Sequence, residues 1–580
     1  MPLHAQTAQP SLAVSRITAA IDENSRVTLK GTVHPLANAA NDRGAAPDSM
    51  PLQRLHLVLK RSPAQESALR QLVSDMHTPG SASYHKWLTP EQFGPSDQDV
   101  ATVQSWLGSH GFLVGKVQPG KQVIEFSGNV AQMRDAFHTQ IHKYVVNGQT
   151  HHANAGAPQI PSALAPVVGG FVSLNNFRIK NNVRVLGKAT YNTQTHTATP
   201  EWTYGNSSGV SFVLAPADYA KQYDLSPLYT AGINGSNQTI AIVNDSNINI
   251  DLANQFRSAF GLSANPPQVI IDGNDPGIDG INNPDGPNFD SIEAYLDVEW
   301  SAAVAPAATV DLVIAADTAL ESGLILAMEH AVYGNVAPVI SLSFMGCEAG
   351  QGSTMNASIN SLWEQAAAQG VTVMVSAGDN GSAGCDDDNT QYYAVDGLAV
   401  NGLASTPYNV AVGGTDFFYS DYNNPALLNT QLGTYWNTTP TLLPQASLLQ
   451  VIPEQPWNDS QYGLNAINYY THISGSTATS IAGGSGGASS LYTKPAWQTG
   501  AGVPADGVRD LPDVSLYAAD GLNYSFYPIC AVDGDCQAPS GGNPIQITPV
   551  GGTSAAAPSF AGIMAMRGGR SASMAAMRDN

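Results

Sequence analysis

The sequence predicts an α/β protein: a parallel sheet with helices on both faces, preceded by a smaller α+β unit. Three observations predict it. Apolar, β-branched runs alternate with helical patterns after about residue 212, as buried parallel strands with crossover helices do. Before residue 177, strands and helices alternate in a different rhythm. The sign of the charge also changes between the two parts: residues 1–211 hold 17 Lys+Arg against 12 Asp+Glu, a net +5, whereas residues 212–580 hold 7 against 34, a net −27. At 580 residues the chain is long enough for two or more hydrophobic cores.

Residues 1–49 lack apolar periodicity and are expected to form a flexible lead-in. LHLVLKR (55–61) reads as a strand and SPAQESALRQLVSDMH (62–77) as a helix, with a second helix after GPSDQDV (94–100). FLVGKV (112–117) and QVIEFSG (122–128) follow as strands about a PGK turn, then a helix NVAQMRDAFHTQ (129–140) and the strand-like IHKYVV (141–146). This order predicts a ferredoxin-like layout over 50–177, a sheet with helices on one face. The polar stretch 178–211 reads as an exposed linker.

In the larger unit, 212–580, the strand-like runs are TIAIVND (239–245), ATVDLVIAA (308–316), VISLSF (339–344), VTVMVSAG (371–378) and YNVAVGGT (408–415). DLANQFRSAFG, ALESGLILAMEHAVYG and NASINSLWEQAAAQG supply the crossover helices. Ligands of such sheets bind beyond the carboxyl ends of the strands.

An acidic body does not suit nucleic acid, whose phosphates need a basic face. No run of about 18 apolar residues suggests a membrane span. Net negative charge keeps a protein soluble where carboxylates are partly protonated, which points to acid surroundings. Four cysteines allow three disulfide connectivities. Cys530 and Cys536 flank a short AVDGD loop, and Cys347 and Cys385 each follow a strand-like run, so their thiols meet if those strands are neighbours. Two disulfides imply an oxidising compartment and export. MPLHAQTAQP looks like a cleavage region without the apolar segment that should precede it; a misplaced start is the expectation.

Three stretches carry chemistry. In VSAGDNG, Asp379 follows the last apolar residue of a strand. In DSIEAYLDVEWSAAVAPAA (290–308), Glu293 and Asp297 are four apart and share one helix face. An exposed pair of this spacing is ordinary, but Ala294, Leu296, Val298 and Trp300 make this helix largely apolar, and a half-buried carboxylate pair needs a reason. In GGTSAAAPSF (551–560), the Gly551-Gly552 pair permits a tight turn and Pro558 suits the first turn of a helix. Ser554 then stands at a helix N-terminus with its N–H turned toward any developing oxyanion.

Together these stretches resemble the sedolisin family of serine-carboxyl peptidases, in a kumamolisin-like form; these are relatives of subtilisins that keep the fold and change the catalytic base. The resemblance runs from about 50 to 565 and includes EAYLD, SAGDNG, GGTSAAAPSFAGI, STPYNVAVGGT, GGSGGASSLYTKPAWQ and RDLPDVS. YHKWLTPEQFG and VIEFSGNVAQMRDAFHTQIHKY (123–144) resemble the family's activation prodomain. The resemblance implies that Ser554 is the nucleophile, Glu293 the general base, Asp297 the residue orienting that glutamate, and Asp379 the oxyanion partner. It implies a secreted, monomeric endopeptidase made as a zymogen, acting on protein or peptide substrates at acid pH, with its own prodomain as inhibitor. Reference pKa values of about 3.9 for Asp and 4.3 for Glu allow an ionised base and a protonated oxyanion donor to coexist only in acid.

Two other readings compete. A Ser-His-Asp peptidase would need a suitable histidine, yet only His330 and His472 follow residue 211, and neither sits in a subtilisin-like motif. An inactive homologue would use the fold as an extracellular binding or adhesion protein, with the Asn/Thr/Tyr-rich stretch 418–480 as its contact. The acidic runs NDPGIDGINNPDG (274–286) and CDDDN (385–389) match no metal-ligand pattern. The resemblance implies a calcium site built from a longer C-terminal tail. Only 26 residues follow Ser554, and the ending RGGRSASMAAMRDN carries one acid, Asp579. The chain is therefore expected to be truncated and to lack that ligand segment.

Overall fold

The computed structural model describes residues 14–568, apart from 93, 147, 182, 201–210, 280–289, 387–392, 421–424, 438–445, 460–480, 522–523 and 538–543. The smaller unit is built on strand β1 (Pro51–Leu59), helices α1 (Pro63–His77) and α2 (Asp97–Ser109), strands β2 (Leu113–Val117) and β3 (Val123–Asn129), helix α3 (Val130–Phe137) and strand β4 (Val168–Phe171). The sheet order β2-β3-β1-β4, antiparallel throughout, is the split-βαβ arrangement. Local signals set these helices: Ser62 and Asn129 each close a capping box with a glutamine three residues on, and Pro63 occupies the first helical position.

Two expectations for this part are corrected. Ile141–Val146 is a strand, but it pairs with Asp42–Ala45 and Gln149–Asn154 in a separate sheet, and Val168–Phe171 takes the fourth place beside β1. Alternation reveals a strand but not its partner. The lead-in is also ordered where it is described: Arg26–Thr28 pairs with Gln159–Pro161, and Leu29 and Ala46 are buried in the core of this unit.

The larger unit contains strand β5 (Thr239–Asn244), helix α4 (Ile250–Ala259), strand β6 (Gln268–Ile271), helix α5 (Asp290–Val304), strand β7 (Thr309–Ile314), helix α6 (Gly323–Tyr333), strand β8 (Val339–Leu342), helix α7 (Glu348–Ala368), and strands β9 (Thr372–Ser376), β10 (Val410–Phe417) and β11 (Val514–Tyr517), with helix α8 (Thr553–Met566) last. The order β6-β7-β5-β8-β9-β10-β11 is parallel at every step, and Glu454–Pro456 adds an antiparallel edge to β10. This is the subtilisin-like parallel sheet the resemblance implied. One core, lined by α4, α5 and α8, covers one face of the sheet, and a second, lined by α6 and α7, covers the other. Every residue of α5 is buried, which is why its sequence is apolar around its circumference.

The described part of the stretch expected to be an exposed linker, 178–200 and 211 apart from 182, is instead structural. Ala189–Asn192 pairs with Ile545–Gly551 and with Thr197–Pro200, and Ala189, Tyr191 and Ala198 are buried. Its polar letters face outward while every second residue packs inward. Both disulfides form as the strand order allows, Cys347 with Cys385 and Cys530 with Cys536, because β8 and β9 are neighbours.

Helices α5 and α8 cross closely at Gly562, where an added Cβ would lie 2.7 Å from Val304 Cβ and 3.0 Å from the Ser301 carbonyl. Gly562→Val should therefore overpack the crossing and cost about 1–3 kcal/mol. In a Ser554→Ala background, thermal unfolding is expected to show a midpoint lowered by about 2 °C or more; an unchanged midpoint would contradict this account of the crossing.

Candidate active site

The carboxyl ends of β8 and β9, the start of α8 and the first turns of α5 meet at one place. There Ser554 Oγ donates to Glu293 Oε2 at 3.0 Å. Asp297, one turn further along α5, accepts from Ser343 Oγ at 2.7 Å. Asp379 Oδ1 accepts from the Thr553 N–H at 2.7 Å and from Thr553 Oγ1 at 2.8 Å. All four residues singled out from the sequence are thus assembled, and each is at most 1% exposed.

The local backbone explains the placement. Gly552, at φ 107°, is the N-cap of α8 and offers no side-chain acceptor. The Asp379 carboxyl fills that role, taking one of the N–H groups that a helix start leaves unpaired. Gly378, at φ 108°, turns the chain so that its N–H donates to Thr553 Oγ1 at 3.1 Å. Pro558 is the sixth residue of α8, in its second turn and not the first as expected, because the glycine cap lets the helix begin at Thr553. A proline there cannot donate to the Ser554 carbonyl. Ser343 Oγ lies 3.5 Å from that carbonyl while donating its proton to Asp297.

Ser343 was missed in the sequence, as was Thr553. The available signal was a serine directly after the apolar run of β8, at the carboxyl end where sites form. His330 is on α6 and pairs with Asp272 at 3.3 Å, and His472 lies outside the described residues, as do parts of both acidic runs. Across the contact between the two units, Arg54 and Lys116 meet Asp272 at 2.5 and 3.6 Å, His56 meets Glu329 at 2.6 Å, and Arg61 meets Glu364 at 2.6 Å. The basic unit therefore docks on the acidic one through ion pairs.

Burial raises Glu293 well above the ordinary glutamate range, and the nearby Asp297 raises it further, against the hydrogen bond from Ser554. Burial likewise raises Asp297, against the bond from Ser343. The carboxyls cannot all be ionised at once, so they titrate as a group.

The description "Pro-kumamolisin, activation domain" matches residues 38–177. Sedolisin of Pseudomonas sp. strain 101 is 29% identical over 523 residues, covering 88% of this chain and 75% of the relative. The chain is thus similar to sedolisin along most of its length. Kumamolisin of Bacillus sp. strain MN-32 is 26% identical, over 81% of this chain and 72% of the relative, and xanthomonalisin of Xanthomonas sp. strain T-22 is 25% identical, over 97% and 64%. The protein is accordingly a serine-carboxyl peptidase similar to these relatives, and its smaller unit matches the activation domain. The matched domain begins at residue 38, inside the expected lead-in.

Calcium finds no donor set here: among the described residues, no group of three or more His, Cys, Asp or Glu side chains is placed to hold a metal ion.

The raised carboxyls have a consequence for stability. The folded chain keeps protons on Glu293 and Asp297 that the unfolded chain releases near pH 4. This contribution is complete below about pH 4 and is lost as pH rises through the raised values. In the Ser554→Ala chain, adding Glu293→Gln should flatten the fall in thermal midpoint between pH 5 and 8, with the variant higher near neutrality by about 2 °C or more. Parallel curves would contradict the assignment of a buried, raised Glu293.

Proposed function

We propose that this chain is a secreted, monomeric endopeptidase, active at acid pH and made as a zymogen, in which Ser554, Glu293 and Asp297 form the triad and Asp379 completes the oxyanion site. The observation that carries this reading is the 3.0 Å hydrogen bond from Ser554 Oγ to Glu293 Oε2. It places an acceptor on the hydroxyl proton without a histidine, and nucleophile and base stand at the separation general-base catalysis requires.

The reaction runs as follows. Ser554 Oγ attacks the scissile carbonyl carbon, its proton passes to Glu293 Oε2, and the carbonyl oxygen takes the electron pair. That oxyanion accepts a hydrogen bond from a protonated Asp379 and from the N–H of Ser554 in the first turn of α8. Collapse of the intermediate expels the amine, which takes the proton from Glu293, and leaves an acyl group on Ser554. Water then gives a proton to Glu293 and attacks the acyl carbon; collapse returns the proton to Ser554. Asp297, held by Ser343, positions Glu293 and discourages a second negative charge beside it.

The coupled carboxyls lose a first proton as a group, and catalysis needs that one charge on Glu293 while Asp379 keeps its proton, so activity belongs to a limited acid range. Cleavage of denatured protein should peak below about pH 5 and fade toward neutrality. Ser554→Ala should lower kcat by about 10⁴-fold or more, and Glu293→Gln should come close to it. Asp379→Asn should lose less at the upper end of the range, since an amide donates without protonation. An optimum at pH 7 or above would remove Glu293 from the role of base.

The activation domain blocks the enzyme through its docking contact, and the direction of each shift says how acid acts on it. Burial would raise Asp272, but His330 and Arg54 outweigh it and hold the carboxyl low, so its contribution is complete above about pH 4 and is lost below. Burial would lower His56, yet Glu329 and Glu125 hold it up at about 10, so the imidazole stays charged throughout the acid range. Of the histidines after α3, His142 pairs with Asp42 of its own unit and not with the acidic one. Release should start near pH 4, and Asp272→Asn should let the chain process itself at a pH about one unit higher, as read by the appearance of the shorter product on gels.

A further inference from the structure

The residue that follows the matched activation domain is Arg178, and it has an unusual seat. Its Nη1 is 3.3 Å from both Asp279 Oδ2 and Asp290 Oδ2, and its Nε is 3.0 Å from Asp317 Oδ2. Asp245, just beyond β5, adds a fourth acid to the same cluster, and its Oδ1 is enclosed without a hydrogen-bond partner. Asp290 is the first residue of α5, one turn before Glu293, and is 4% exposed. Four carboxyls this close repel one another, and burial adds to the cost: it raises Asp245, with Asp290 and Asp317 reinforcing the shift, and lifts Asp290 to about 6. Such a cluster is stable as carboxylates only with a cation among them.

The path of the chain beyond Arg178 ties this cluster to the nucleophile. Lys180 and Asn181 pair antiparallel with Met345 and Phe344, directly after Ser343. Asn181 Nδ2 donates to Asp290 Oδ1 at 2.6 Å. Arg184 and Val185 then pair antiparallel with Gly551 and Val550, just before Ser554. The segment therefore uses one edge on either side of the nucleophile, in the extended form a peptide substrate takes.

We propose that Asp245, Asp279, Asp290 and Asp317 form a substrate subsite for a basic side chain on the amino-terminal side of the scissile bond, and that Arg178 fills it in the zymogen as the substrate's stand-in. A guanidinium suits it better than an ammonium, because the acceptors lie around a fork and not at one point. This inference rests on the peptidase reading of Ser554, and it adds a selectivity that the triad alone does not supply.

The test uses the full chain after it has processed itself in acid, with a peptide of residues 175–187, NNFRIKNNVRVLG, as substrate. The same peptide with Ala, Lys or Glu in place of Arg178 gives the comparison. The arginine peptide should have a kcat/KM about tenfold or more above the alanine peptide, mostly through KM, with lysine between and glutamate lowest. In enzyme carrying Asp317→Asn, the arginine-to-alanine ratio should fall toward one. Equal values for arginine and alanine peptides with the unaltered enzyme, a measurement that needs no variant to fold, would overturn the subsite while leaving the peptidase intact. Cleavage that persists in Ser554→Ala would instead bring down the reading of Ser554 and the subsite with it.

Discussion

The crossing of α5 and α8 is the contact on which the rest depends. Ser554 sits on one helix and Glu293 on the other, and their 3.0 Å hydrogen bond exists only because the helices approach closely enough to exclude a side chain at residue 562. Both helices are almost wholly buried. Their separation is therefore set by packed core on all sides and cannot drift with a surface loop. A bond of this kind tolerates little displacement, since hydrogen-bond strength falls steeply outside its preferred geometry.

Burying that bond creates the electrostatic problem the molecule is organised around. Glu293 and Asp297 are both inaccessible to water, and a buried carboxylate is costly unless it is paired or protonated. Here the offsets are hydroxyls and N–H groups: Ser554 on Glu293, Ser343 on Asp297, Thr553 on Asp379. None of these is a cation, so protons remain the main means of limiting charge at the site. Arg54, Arg61 and Arg178, by contrast, come from the N-terminal part of the chain and sit on carboxylates of the larger unit. Charge compensation on these carboxylates is thus supplied from the N-terminal part of the chain.

Much of this was legible in the letters. Capping boxes at Ser62 and Asn129, the runs of β5, β8, β9 and β10, and the helix over Glu293 carry their structure locally, through propensity and periodicity. The candidate residues could be picked out because each broke a pattern: carboxylates in an apolar helix, an aspartate at the end of a buried strand, a serine between two glycines and a proline. Other features left no local trace. Nothing in IHKYVV shows that it belongs to a second sheet, and the polar stretch 178–211 resembles a linker because only every second residue of its strands faces the core. Ser343 and Asp290 are ordinary letters whose importance lies in what folds against them.

The sequence by itself determined the elements, the two-part organisation and the identity of the candidate catalytic side chains, since these follow from periodicity, composition and motifs within short windows of chain. Tertiary structure alone decided which strands pair, that Ser343 supports Asp297, and that four aspartates spread from residue 245 to 317 surround one arginine at 178. Those contacts join residues far apart in sequence, and their energies depend on distance and burial that no short window specifies.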